Sequence, residues 1–161
     1  MGPRKRPLDE IDTRLLDLLQ HDADQTLREL GDQVGLSPSA VQRRITSYKS
    51  AGLLRTVAVV NIEHAPSLAQ ALVMLTLVEE SLDHHRRIAD RLRAQPEVQQ
   101  CYALSGRWDY AVLLTAASIR DLRDLSNDLF KSDDNIRRYD TMFILDTVQS
   151  GSALPGAFLL P

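Results

Sequence analysis

The polar and apolar positions of this 161-residue chain fall into two halves with different periods. In the first half Ile11, Leu15, Leu18 and Leu19 recur at i, i+4, i+7 and i+8, which is one face of a helix. That helix is expected to start near Asp9. Pro7 precedes it, and Asp9, Glu10 and Asp12 crowd a first turn where acidic groups suit the helix dipole. It should end by His21–Asp24. A second helix, from about Thr26 to Val34, turns Leu27, Leu30 and Val34 inward. Thr26 and Glu29 have capping-box spacing, and Gly35 sits where a left-handed C-cap residue is expected. A third helix opens on Ser37 as N-cap, with Pro38 in the first turn, where its missing N–H costs nothing. Val41, Ile45 and Tyr48 form its buried stripe, and Gly52 stops it. After Gly52, LLRTVAVVNIE has strand character through Val57, Val59 and Ile62, either a wing or a lead-out strand. Pro66-Ser67 marks a junction.

From Leu68 the pattern becomes two-sided. Leu72, Met74 and Val78 fall on one face of a strand, and Ala71, Val73, Leu75 and Leu77 on the other. Such a strand needs two covers. A helix follows over Asp83–Arg93, ended by Pro96. A strand over Val98–Ser105 leads to a tight turn at Gly106-Arg107-Trp108, and the return strand covers Asp109–Thr115. Ile119, Leu122, Leu125 and Leu129 mark another helix, and Arg137–Val148 a last strand. The order is β-α-β-β-α-β, the ferredoxin-like arrangement, so the class is α+β. That fold lays both helices on one sheet face and leaves the other open. Here the open face is apolar and calls for a partner, most simply a second copy related by twofold symmetry. The expected organisation is a basic disordered tail at 1–7 and a DNA-binding domain at 8–60. A hinge at 61–67, a ferredoxin-like domain at 68–150 and a C-terminal tail at 151–161 complete it.

The net charge of −3 argues at first against nucleic acid, but its distribution reverses that reading. Residues 1–55 carry nine Lys/Arg against eight Asp/Glu, and the span from Gln33 to Ile62 has no acidic residue at all. It holds Arg43, Arg44, Lys49 and Arg55. A local positive face matters more to DNA than the total. Two short helices joined at a glycine, the second one basic, have the shape of a helix-turn-helix, with the helix-turn-helix proper at about 27–46. Short polar residues near the start of the third helix can approach base edges. Gln42 suits adenine, and Arg43 suits guanine or a phosphate. Thr26, Ser37, Ser39, Arg44 and Ser47 complete the candidate set, with Lys49 and Arg55 better placed for the backbone.

Other chemistry is thinly represented. One cysteine, Cys101, excludes an internal disulfide framework. The adjacent His84 and His85 point about 100° apart on a helix and read as a solvated helix start rather than metal ligands. Asp133-Asp134-Asn135 lacks the spaced pattern of a calcium loop. GxSxG, P-loop and GxGxxG motifs do not occur. No apolar run is long enough to span a membrane, and no apolar segment follows the basic N-terminus as in a signal peptide. A cytoplasmic, nucleoid-associated protein with no metal and no cofactor is expected.

The segments LDEIDTRLLDLLQHDADQTLRELGDQVGLSPSAVQRRITSYKSAGLL, PEVQQCYALSGRWDYAVLL, IRRYDTMFIL and SALP together resemble the Lrp/AsnC (feast/famine) transcription regulators, over about residues 8–155. Gly31 stands where that family usually has alanine. The resemblance implies a winged helix-turn-helix followed by an amino-acid-sensing domain. It further implies dimers that assemble into tetramers, octamers or larger rings, and a small effector, commonly an amino acid, bound between dimers. It places the effector loop at Ser105, Gly106, Arg107, Trp108, Asp109 and Tyr110, with Thr141 near the same pocket. In that reading Gly106 lets backbone approach a ligand, Asp109 pairs with an ammonium and Trp108 covers a side chain. The expected function is effector-responsive, sequence-specific transcription regulation. The alternatives are a nucleoid-organising protein of low specificity and a siroheme-decarboxylase-like enzyme. The enzyme would need basic and histidine residues on the sheet strands to hold a tetrapyrrole.

Overall fold

A computed structural model of the chain describes residues 7–65, 67–151 and 153–160. Apart from Pro7, the expected basic tail lies outside the described residues. Two compact units divide the chain. One runs up to Val59 and takes in the segment from Gln149 onward, and the other is Val60–Val148.

The first unit is built on three helices, α1 (Glu10–His21), α2 (Leu27–Val34) and α3 (Pro38–Ser50). Each starts on a side chain that accepts a hydrogen bond from the first turn. Asp9 and Asp12 exchange bonds across the start of α1, at 2.8 and 2.9 Å. Thr26 and Glu29 do the same at α2, and Ser37 accepts from Ala40 N at α3. Leu15, Leu16, Leu30, Val34, Val41, Ile45 and Tyr48 pack into its core. Between α2 and α3, Gly35 takes a left-handed φ of 71°. Gly31 is held for a different reason: a side chain there would meet Leu36 O at 2.4 Å. The turn therefore closes onto a bare Cα, a constraint that helix propensity does not express.

Two expectations at the ends of this unit fail. Residues 53–61 form no helix or strand, and Val59 and Val60 are 86% and 81% exposed. Neither wing nor lead-out strand forms. β-branched residues favour an extended backbone, but a strand also needs a hydrogen-bonded neighbour, and no strand among the described residues pairs here. The C-terminal segment, in contrast, is more than a tail. Gln20 and the Leu154 backbone exchange hydrogen bonds of 2.9 and 2.8 Å, and Gly156 N donates to Asp17 Oδ1 at 2.7 Å. A 3₁₀ turn at Gly156–Leu159 then sets Leu159 against the helical core.

The second unit has β1 (Ala69–Leu77), α4 (Leu82–Arg93), β2 (Val98–Ala103), β3 (Tyr110–Ala116), α5 (Ile119–Ser126) and β4 (Ile136–Phe143). The strand order is β2-β3-β1-β4, with every neighbouring pair antiparallel. This is the ferredoxin-like sheet expected from the pattern. Odd-numbered residues of β1 are buried with Ile88 and Leu92 of α4 and Leu122 of α5. A π-helical turn, Asn127–Lys131, continues α5 and shifts the phase so that adjacent Leu129 and Phe130 both reach the core. The last strand is shorter than expected. β1 begins at Ala69, so residues beyond Ile144 have no partner strand, and Leu145 and Val148 are exposed.

The opposite sheet face carries a row formed by Leu113, Leu72 and Met142 on adjacent strands, paired in register. Beside it lie Met74, Ala111 and Tyr102. No helix covers this face: both helices pack on the other one.

Candidate nucleic-acid interface and effector hairpin

Helix α3 buries Val41, Ile45 and Tyr48, which leaves Ser39, Gln42, Arg43 and Thr46 exposed along one stripe at i, i+3, i+4 and i+7. Gln42 Nε2 donates to Thr46 Oγ1 at 3.1 Å, and Ser37 and Ser39 hydroxyls are 3.1 Å apart. Sequence reasoning left out Thr46, although its spacing from Ser39 and Gln42 would have found it. Ser47, Lys49 and Arg55 are exposed too. Thr26 stays at the exposed start of α2, its hydroxyl donating to Glu29 Oε2 at 2.8 Å. These backbone and side-chain bonds from Thr26 lower the Glu29 carboxyl below its ordinary range.

Arg44 is the exception among the DNA candidates. Its guanidinium turns away from the stripe and bonds Asp9 Oδ1 and Oδ2 at 3.0 and 3.1 Å, and it also donates to Asp12. Tyr48 Oη adds a 2.5 Å bond to Asp12 Oδ1. Burial opposes the charge on Asp12, yet the bonds from Tyr48, the Asp9 backbone and Arg44 prevail and lower its carboxyl to about 2. Burial first, then Asp12, raises the Tyr48 phenol. This cluster fastens α3 to the start of α1. Arg44 is therefore a positioning residue, and the exposed cations on α3 are Arg43 and Lys49.

The hairpin between β2 and β3 is formed as expected, but its residues do not converge. Gly106 has a φ of 134°, which only glycine adopts without strain, and open space surrounds it. Trp108 lies between two guanidiniums, with Arg107 Cζ at 5.4 Å and Arg138 Cζ at 5.0 Å from its ring centroid. Ser105 is exposed. Asp109 is already engaged: its Oδ2 accepts from Leu77 N at 2.6 Å while its own N donates to Leu75 O at 2.9 Å. It pins the hairpin to the end of β1, which corrects the expected ammonium partner. Tyr110 is buried on the helix side, its hydroxyl 2.7 Å from His85 Nδ1. His85 is thus a packed residue rather than part of a solvated helix start. Thr141 pairs in register with buried Val73, and its hydroxyl sits 3.3 Å from that of Ser126. Tyr110 and Thr141 therefore face the helix layer, away from Trp108 and Arg138.

Residues 8–48 match the AsnC-type helix-turn-helix domain, and residues 70–154 match the Lrp/AsnC ligand binding domain. An uncharacterized HTH-type transcriptional regulator of Sinorhizobium fredii is 30% identical, over 92% of this chain and 88% of the relative. The HTH-type transcriptional regulator LrpA of Mycobacterium tuberculosis is 35% identical, over 89% of this chain and 93% of the relative. Among solved structures, a transcriptional regulator from Neisseria meningitidis in complex with L-Met superposes with a TM-score of 0.85 at 28% identity, covering 95% of this chain and 99% of that one.

Proposed function

The chain belongs to the Lrp/AsnC family of transcriptional regulators, and we propose that it binds DNA sequence-specifically as a symmetric dimer or larger assembly. Its DNA binding or assembly responds to a small effector, an amino acid. The observation that carries the DNA reading is the exposed stripe of α3, on a helix fixed by the Asp9–Asp12–Arg44–Tyr48 cluster. Ser39, Gln42, Arg43 and Thr46 read base edges. Thr26, Ser37, Ser47, Lys49 and Arg55 hold phosphates. The uncovered apolar sheet face supports self-association. The ligand-binding domain supports an effector, and the Neisseria relative was solved with L-Met. Ser105, Gly106, Arg107 and Trp108 are the hairpin residues that face outward for this role. No described helix is long and apolar enough to cross a membrane.

Selection of bound sequences from a random DNA pool, followed by gel-shift titration, tests the reading. Arg43→Ala is expected to cost about 1–3 kcal/mol with relaxed preference at one position. A uniform loss across sequences, with the salt slope reduced by about one, would assign Arg43 to phosphate instead. Selection that enriches no sequence would refute specific recognition.

A further inference from the structure

Helix α4 carries His84, Arg87 and Arg91 at i, i+3 and i+7, one face of the helix. With Leu77 and the loop Ser132–Asn135 they line a cavity of about 390 Å³. That volume lies in the roughly 300–1,000 Å³ range of small-molecule sites. Its walls are fixed. The Asn135 side chain bonds both backbone groups of Glu79, at 3.0 and 3.2 Å. Arg91 Nη2 reaches Leu129 O and Asp133 Oδ2, both at 2.7 Å.

Two features of the lining point to a ligand. Arg91 Nε and His84 Nδ1 are both buried and have no hydrogen-bond partner, although buried polar atoms are ordinarily paired. The nearest charge to His84 Nδ1 is Glu79 Oε2 at 3.7 Å, too long for a hydrogen bond. The charges also balance in a particular way. Arg91 and Asp133 neutralise each other. Arg87 and Asp134 also line the cavity, and neither joins an ion pair among the described residues. The lining therefore offers one uncompensated cation and one uncompensated anion. A phosphate would bring more negative charge than Arg87 offsets, and a metal cation would meet the arginines. A zwitterion brings one charge of each sign.

We propose that this cavity is a binding site for a free amino acid. The carboxylate lies against Arg87 and the two unpaired nitrogens of the inner wall, and the ammonium against Asp134. The site is distinct from the outward-facing hairpin and rests on the cavity alone. It is nevertheless joined to the hairpin, because Leu77 lines the cavity while its N–H is held by Asp109, and His85 beside His84 bonds Tyr110.

Calorimetric titration of the full chain with each common amino acid tests the proposal. At least one is expected to bind, and its amide and its N-acetyl derivative, each lacking one charge, are expected not to. Arg87→Met and Asp134→Asn should each weaken that binding at least about tenfold, equivalent to about 1.4 kcal/mol. Arg86→Met should leave it unchanged, since Arg86 pairs with Asp83 outside the cavity. Gly106→Val reports separately on the hairpin: loss there with binding intact in both cavity variants would overturn the cavity and favour the hairpin. Failure of every amino acid to bind, or full binding in both cavity variants, would overturn the proposal as well.

Discussion

Arg43 and Arg44 are neighbours with the same charge, and they do different work. A 100° turn of the helix leaves Arg43 in solvent and aims Arg44 at two carboxylates. The cluster around Asp12 makes the first unit sensitive to acid. A carboxyl lowered to about 2 in the fold binds fewer protons than the unfolded chain does in the interval below its ordinary value of about 3.9. Its contribution is therefore complete above about pH 4 and is lost as pH falls through about 2. Tyr48→Phe removes the 2.5 Å bond, so the Asp12 carboxyl should rise and the acid-induced loss should begin at higher pH. At neutral pH the variant should be less stable by about 1.5–3 kcal/mol, the scale for a hydrogen bond to a charged group. Urea unfolding followed by circular dichroism from about pH 7 to about pH 2 measures both effects. Superimposable acid limbs for wild type and variant would remove Tyr48 from the cluster's energetics.

At the scale of elements, the C-terminal segment behaves as part of the helical unit. Gly156 is buried against α1, where a Cβ would come within 2.6 Å of Thr13 O and 2.8 Å of Asp17 Oδ2. Gly156→Val should lift the 3₁₀ turn from α1, lower the unit's stability by about 1–3 kcal/mol, and open the segment to carboxypeptidase. Equal digestion of wild type and variant would show that the segment is not held. The sequence discloses elements unevenly for a physical reason. Helix starts at Asp9, Thr26 and Ser37 were legible because a cap and the amides it serves lie within one turn. The four strands and their order were legible from alternation and turns. Illegible features depend on partners far along the chain. Arg44 meets Asp9 across 35 residues, and Gly156 meets Asp17 across 139. Residues 53–61 have strand-like side chains and no strand beside them. Asp109 has the chemistry of an ammonium partner, yet Leu77 N takes its carboxylate.

At the scale of the whole molecule, the uncovered sheet face and the recognition helix make one linked argument. A single helix of this length touches a few base pairs, so useful affinity requires two helices on one piece of DNA. Twofold symmetry supplies them, with half-sites about one turn or a multiple of it apart, roughly 10 bp per turn. The second helix then binds intramolecularly, which raises affinity about 10²–10⁴-fold without any new contact. Leu72 and Met142 sit opposite each other at the centre of the apolar face, with Leu113 beside Leu72. The double substitution Leu72→Glu and Met142→Glu places two charges there without touching the helix-side core, so each chain should still fold. Sedimentation equilibrium should then give the mass of one chain, and affinity for a selected two-half-site DNA should fall toward that for one half-site. Inserting about 5 bp between half-sites, half a helical turn, should weaken wild-type binding by a similar factor and leave the variant indifferent. A variant that sediments as a monomer yet binds the full site undiminished would separate pairing from recognition and remove the sheet face from the DNA-binding mechanism.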